Sequence, residues 1–344
     1  MKERYYIGGY SKGNHFTLAY GEGNEIIEAY EIENASYLTL SPNKRNLYAV
    51  IETNDFTLNS GGVAAFEILE NGKLKFLNQM PTRGAHPCHL SASEDGRFLY
   101  VANYSGGSTI YFTLDEQGVI CGVQKYVHHD KYGQPTNSNP KRQEAPHAHY
   151  IQANKIDGQG VLWVCDLGLD KVIVLNRAGD VLGEATMPDG FGARHMAFHP
   201  EKPKAYVVGE LGKGIISMDY KLETTGGISL SVSAPLLIAT EDVSCAAVRL
   251  STDGKFLLAS NRGGGADSIS VVRLDDKGNF DGLVSVFPLA YKCPRDFDFT
   301  PDGKFVWVCF QDSDCVQVFA WDNGRLLETD RRLLVDRPTC ILFY

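Results

Sequence analysis

The chain predicts one closed seven-bladed β-propeller spanning residues 1–344, and three observations carry that expectation. A two-strand phrase recurs along the whole length. It is a short apolar strand, a turn often built on Asp-Gly, and a second strand rich in aromatic and β-branched residues. The anchors of the second strands, Tyr6, Tyr48, Tyr100, Trp163, Tyr206, Leu258 and Trp307, are 42 to 63 residues apart. Each interval has room for four short strands, and repeats of that length mean a propeller. Finally, the two chain ends each hold half of one copy, which closes the ring and leaves no open sheet edge.

The copies run in order. The first is split, with its second strand at residues 5–9 and its first strand at 338–344. Full copies follow at 38–48 and 91–100, a looser one ends at Trp163, and further copies occupy 197–206, 249–258 and 299–307. Glycine is frequent, at 35 residues, and no long stretch keeps a 3.6-residue apolar period, so a helical fold is disfavoured. Trp321-Asp322 is the only Trp-Asp pair, so this is not a WD-repeat array.

Composition narrows the function. Apolar residues make up 43% and charged residues 22%, as in ordinary globular domains. The formal net charge of −9 disfavours nucleic acid or an anionic membrane as main partner, although a local arginine cluster could still take a small anion. No apolar run approaches the ~20 residues of a membrane span, and residues 1–10 hold no signal-like segment. The eight cysteines are scattered without C-x-x-C spacing, which reads as reduced, buried thiols and a cytoplasmic protein. No cofactor and no metal site are expected. The oligomeric state is open between a monomer and a weak dimer.

The repeat also serves as a ruler. Four residues past the anchors lie Tyr10, Glu52, Tyr104, Leu167, Glu210, Arg262 and Gln311. Eleven and twelve residues before them lie Arg194-His195, Arg295-Asp296, Cys88-His89, Ser36-Tyr37 and Ala246-Ala247. In an antiparallel pair, the end of one strand and the start of its partner share a face, so both sets converge on one rim of the channel. The fourth copy is offset by two or three residues, and its first strand opens with Pro146-His-Ala-His149. Arg194 and Glu210 should lie within reach of each other, either as a structural ion pair or as part of a working site. His195 fits a core histidine or a ligand contact, and His199 fits a turn. Gly263-Gly-Gly265 reads as a loop. Residues 121–147 break the period, and blade order carries them across the same rim as a partial lid.

These residues resemble a known family. Phe191-Gly-Ala-Arg-His-Met-Ala-Phe-His-Pro200 and Tyr206-Val-Val-Gly-Glu-Leu211 look like its G-P-R-H-x-x-F-H-P and N-E-L motifs. Arg142-Gln-Glu-Ala-Pro-His-Ala-His149, Cys165-Asp-Leu-Gly-Leu-Asp170, Leu99-Tyr-Val-Ala-Asn-Tyr-Ser-Gly-Gly107, Ser260-Asn-Arg262 and Pro294-Arg-Asp296 match as well. This is the propeller lactonase family, which includes bacterial 6-phosphogluconolactonase and fungal carboxymuconate-lactonizing enzyme. Gly209 departs from it, standing where asparagine is usual.

The resemblance implies a catalytic set of His149, Arg194, Glu210 and Arg262, and the rim positions beside them put forward His147, His195, Arg295, Tyr104 and Glu52 as substrate contacts. It implies hydrolysis of a small anionic sugar lactone, 6-phosphogluconolactone first, in the pentose phosphate pathway. Glu210 or His149 would be the general base and Arg194 the oxyanion donor. Arg262, with Arg295 as second choice, would hold the substrate's phosphate or carboxylate, because guanidinium binds these groups bidentately. The alternatives are a muconate-type lactonizing enzyme and a non-catalytic binding propeller.

Overall fold

The computed structural model describes residues 2–13, 18–239 and 242–344. Seven antiparallel sheets stand around a central channel, each running from an inner first strand to an outer fourth strand. Blade 1 joins Pro338–Phe343 to Arg4–Gly9, Leu18–Glu22 and Glu25–Tyr30. Blade 2 is Leu38–Leu40, Asn46–Ile51, Gly62–Ile68 and Leu74–Pro81; blade 3 is Pro87–Ala92, Phe98–Asn103, Ser108–Leu114 and Ile120–His128. Blade 4 is Ala148–Ile156, Gln159–Asp166, Lys171–Leu175 and Val181–Thr186. Blade 5 is Ala193–Phe198, Lys204–Gly209, Gly214–Leu222 and Ile228–Val232, with Leu236–Leu237 also pairing on its third strand. Blade 6 is Ser244–Leu250, Phe256–Arg262, Ser268–Leu274 and Phe280–Pro288; blade 7 is Pro294–Phe299, Phe305–Phe310, Cys315–Asp322 and Arg325–Leu334. The first strand of each blade packs beside that of the next, and the strand from the C-terminus completes the circle. No α-helix occurs among the described residues.

The recurring phrase has a local cause. In blade 3, Ser93 Oγ donates to Asp95 at 2.6 Å and accepts from the amide of Phe98 at 3.0 Å. Ser251 repeats this with Asp253 and Phe256, and Thr300 with Asp302 and Phe305. Gly96, Gly254 and Gly303 complete these turns at φ of 67°, 69° and 70°, which glycine adopts at little cost. In blade 5, His199 takes the serine's place and its Nδ1 accepts from the amide of Glu201, so it is the turn residue expected.

The anchors set how neighbouring blades meet. Tyr6, Tyr48 and Tyr206 are buried and donate to the carbonyls of Gly72, Gly118 and Gly278 in the outer turn of the following blade. Each ring thus buries its body between two sheets and satisfies its hydroxyl at the far side. The apolar cores are correspondingly shared between adjacent blades. All eight cysteines are free, six of them buried.

Candidate active site at the channel mouth

The side chains of interest emerge where the first strands break register. In blade 5, Ala193 pairs with Gly209 and His195 with Val208, leaving Arg194 as an extra residue. The same bulge isolates His149 in blade 4, Arg295 in blade 7, Cys88 in blade 3 and Thr339 in blade 1. A bulge re-aims the extra side chain, and these five line one small cavity at the inner end of the mouth. In blade 6 the break spans Ala246 and Ala247. No long side chain stands there, and the carbonyl of Ala246 instead accepts from Arg194 Nη1 at 2.6 Å.

Glu210 follows the second strand of blade 5. Its amide is held by the carbonyl of Gly192 at 2.9 Å, and its own carbonyl accepts from Cys245 at 3.2 Å. Its carboxylate meets three guanidinium groups. Arg194 Nε donates to Oε2 at 2.8 Å, Arg142 Nη2 donates to Oε1 at 2.7 Å, and Arg262 Nη2 lies 3.3 Å from Oε1. His149 Nε2 stands 4.0 Å from Oε2. Arg194 and Glu210 side chains are each only 2% exposed, so this contact is a buried ion pair. Gly209 leaves room for its neighbour, since a side chain there would meet Phe191 within 2.7 Å.

The electrostatics follow from this packing. Burial by itself would raise the Glu210 carboxyl, but Arg262, Arg194 and Arg142 outweigh it and hold the group well below the usual carboxylate range. Burial, reinforced by Arg194 and Arg295 and opposed by Glu210, pushes the His149 imidazole well below the usual histidine range. Burial and Arg262 push Arg194 down to about 10, still cationic at neutral pH. Glu210 is therefore an anion with little basicity, and His149 is a neutral imidazole.

A second cluster faces the first across the mouth. Tyr10 Oη donates to Glu52 Oε1 at 2.8 Å, Ser36 donates to the other oxygen, and Arg295 Nη2 donates to Tyr10 at 3.0 Å. Tyr10, Glu52 and Glu210 hold Arg295 firmly cationic despite its burial. Arg142, Arg194, Arg262, Arg295 and Lys292 line this mouth together with Glu52, Glu210, Asp267, Asp296 and Asp312, so cationic groups are concentrated here in a chain of net charge −9 and carboxylates balance them.

The other expected contacts are placed less directly. Tyr104 accepts from Arg142 Nε and Nη2 at 3.1 and 3.0 Å. His147 stacks on the Tyr104 ring at 4.5 Å and its Nδ1 donates to the Tyr104 carbonyl, so it supports Tyr104 from behind. His195 is buried below His149, with the rings of His89, Tyr37 and Tyr150 around it. Among the described residues no group of three His, Cys, Asp or Glu is arranged to hold a metal. Burial and then Arg194 push His195 well below the usual range, a field that also opposes a bound cation.

The irregular segment is shorter than expected. Residues Ile120–His128 form the outer strand of blade 3, so the crossing stretch starts at His129. It is tied down by buried carboxylates: Asp166 takes His129 Nδ1 at 2.7 Å and the amide of His147 at 2.8 Å. Asp170 takes Thr136 Oγ1 and the amides of Gly190 and Gly192, joining the segment to the start of blade 5. Gln143, fully buried, donates to the carbonyl of Leu167 at 2.9 Å. The segment thereby delivers Arg142, which the register argument missed because no repeat position corresponds to it. Its one signal was its place at the head of the motif ending in His149. Beyond Glu210, a cleft of about 500 Å³ opens between Arg142, Arg262, Lys292, Asp312 and the loop Gly263 to Gly265.

The comparisons with known proteins agree with this architecture. The family model described as lactonase, seven-bladed β-propeller, matches residues 4–343. The 6-phosphogluconolactonase of Bacillus subtilis is 29% identical over 364 aligned positions, covering 98% of this chain and 97% of that one. An uncharacterized protein of Staphylococcus aureus is 31% identical, covering 98% and 99%. The solved structure of the periplasmic gluconolactonase of Pseudomonas aeruginosa superposes with a TM-score of 0.88 at 27% identity, covering 100% of this chain and 99% of that one.

Proposed function

Because the chain belongs to the lactonase family of seven-bladed β-propellers, we propose that it hydrolyses a sugar lactone, 6-phosphogluconolactone being the substrate that fits best. The observation that carries this reading is the convergence of three arginines on the buried Glu210 carboxylate beside a neutral His149. The Bacillus subtilis relative named for that activity supports the choice of substrate.

Ester hydrolysis needs an activated water, a stabilised oxyanion and a held substrate. His149 takes the proton as water adds to the lactone carbonyl, a role worth roughly 10²–10⁴-fold. Glu210 is a poor base while three guanidinium groups hold its charge. It serves instead to steady the imidazolium that forms 4.0 Å away. Arg194, fixed by Glu210 and the Ala246 carbonyl, presents positive charge where the tetrahedral oxyanion develops. Collapse breaks the ring C–O bond, the leaving oxygen takes the proton back from His149, and the carboxylic acid so formed gives its proton to solvent and departs as the open-chain carboxylate. Arg262 lines the cleft together with Arg142, and the substrate's anionic group is held on this arginine-bearing side.

The test is turnover of 6-phosphogluconolactone above the spontaneous rate, in the wild type and in Glu210→Gln, Arg194→Met and His149→Gln. Full retained activity in all three variants would remove this site. Turnover of a muconate-type diacid in place of the sugar lactone would redirect the substrate while keeping the arginines.

A further inference from the structure

We propose that the cleft outside Glu210 is a phosphate subsite and that Arg142 is the residue that reads it, leaving Glu210 for the phosphate of an incoming lactone. The inference rests on the lactonase reading and adds to it the residue that sets preference for a phosphorylated substrate.

Accessibility separates the three arginines. The side chain of Arg194 is 2% exposed, that of Arg262 14%, and that of Arg142 37%. Arg194 and Arg262 are borne on strands, whereas Arg142 comes from the irregular crossing stretch. A ligand in the cleft therefore meets Arg142 first.

The exchange is also energetically open. Stripping the sole partner from a buried carboxylate is costly, but Glu210 keeps Arg194 at 2.8 Å and Arg262 at 3.3 Å when Arg142 turns away. Tyr104 Oη accepts from Arg142 at 3.0 and 3.1 Å and offers a pivot for the turn. The cleft volume of about 500 Å³ suits a sugar phosphate, with Lys292 beside the phosphate and Asp312, whose Oδ1 takes Gln311 Nε2 at 3.0 Å, turning its other oxygen to sugar hydroxyls. Asp267 also lines it, but its Oδ1 already takes the amides of Gly263 and Cys293. Gly264 must be glycine here: its φ is +60°, and a Cβ would lie 2.2 Å from the carbonyl of Asp242.

Departure of Arg142 does a second thing. It leaves more of the Glu210 charge facing His149, whose other charged neighbours are Arg194 and Arg295. Phosphate binding then raises the basicity of the group that receives the proton, so a phosphorylated lactone gains in kcat as well as in KM.

The experiment compares kcat/KM for 6-phosphogluconolactone and for glucono-δ-lactone in the full chain, in Arg142→Gln and in Arg142→Lys. The ratio of the two should fall roughly 10–100-fold in Arg142→Gln, the worth of a lost charged hydrogen bond, and should recover in part in Arg142→Lys. Inorganic phosphate should inhibit wild-type hydrolysis of glucono-δ-lactone, with an inhibition constant that rises in Arg142→Gln. An unchanged ratio and an unchanged inhibition constant would overturn the proposal. If the wild type turns over neither lactone, the hydrolase reading fails. Calorimetric titration of inorganic phosphate into wild type and Arg142→Gln then decides the subsite alone, equal affinities overturning it.

Discussion

Arg194 Nε donates to Oε2 of Glu210 across 2.8 Å, and the two side chains are almost wholly withdrawn from water. They are not an isolated pair, since Arg142 and Arg262 share the same carboxylate. The variants should therefore behave unequally. Arg194→Met leaves Glu210 two guanidinium partners, whereas Glu210→Gln leaves three clustered cations with no counter-charge. Glu210→Gln should cost about 3–5 kcal/mol, and Arg194→Met less, in urea denaturation at neutral pH.

The pH dependence of stability has a definite sign. Glu210 is held below its ordinary range in the folded state. Its contribution is full above the unfolded value, about 4.3, and is lost as the pH falls through the lower folded value. Wild-type stability should decline below about pH 4.3, and Glu210→Gln should flatten that part of the curve, measured as urea midpoint against pH.

The activity profile should report His149. Its imidazole is held below the ordinary value of about 6.5, so it stays neutral, and basic, into mildly acid solution. The acid limb of kcat/KM should lie below pH 6.5. Removing the Glu210 charge should move that limb to lower pH, and removing the Arg194 charge should move it to higher pH. Shifts in the opposite senses would take the role of base from His149.

Asp170 should prove a positioning residue. Its carboxylate holds the amides of Gly190 and Gly192 on one side and Thr136 on the other. Asp170→Ala frees the start of the Arg194 strand and the segment that carries Arg142, leaving buried amides unpaired at about 1–3 kcal/mol each. Activity should fall together with stability, and Asp170→Asn, which keeps one acceptor oxygen, should retain more of both.

Gly168→Ala tests a close approach beside the site. A Cβ at this position would lie 1.8 Å from the carbonyl of Ala145, two residues before His147. The segment must shift outward, and a displacement near 1 Å at reacting groups costs about 100-fold in rate. kcat/KM should fall by that order while the variant still folds, as judged by circular dichroism and a cooperative melt.

Chelation should leave turnover intact. Burial first and then Arg194 push the imidazoles of His149 and His195 well below the usual range, and the Arg194 charge also repels a divalent cation. Dialysis against EDTA, followed by assay without added metal, should return the untreated rate.

The number of blades, the closure by both chain ends and the rim holding Arg194, Glu210 and Arg262 could all be read from residue order. A repeat imposes one register, and register decides which face a strand residue reaches. The offset of the fourth copy was visible, and the structure explains why His149 still joins the ring: it occupies the same bulge as Arg194 and Arg295. Which side chains pair was not readable. Nothing periodic places Arg142 on Glu210, because the stretch that carries it follows the hydrogen-bond demands of Asp166, Asp170 and Gln143. Nor does the register tell that Glu52 is taken up by Tyr10 and Ser36 while Glu210 gathers arginines. The sequence by itself determined the ring and the positions facing its mouth, since both follow from local periodicity. Only the tertiary structure decided the charge pairing, because that depends on distances of a few ångströms between segments far apart in the chain.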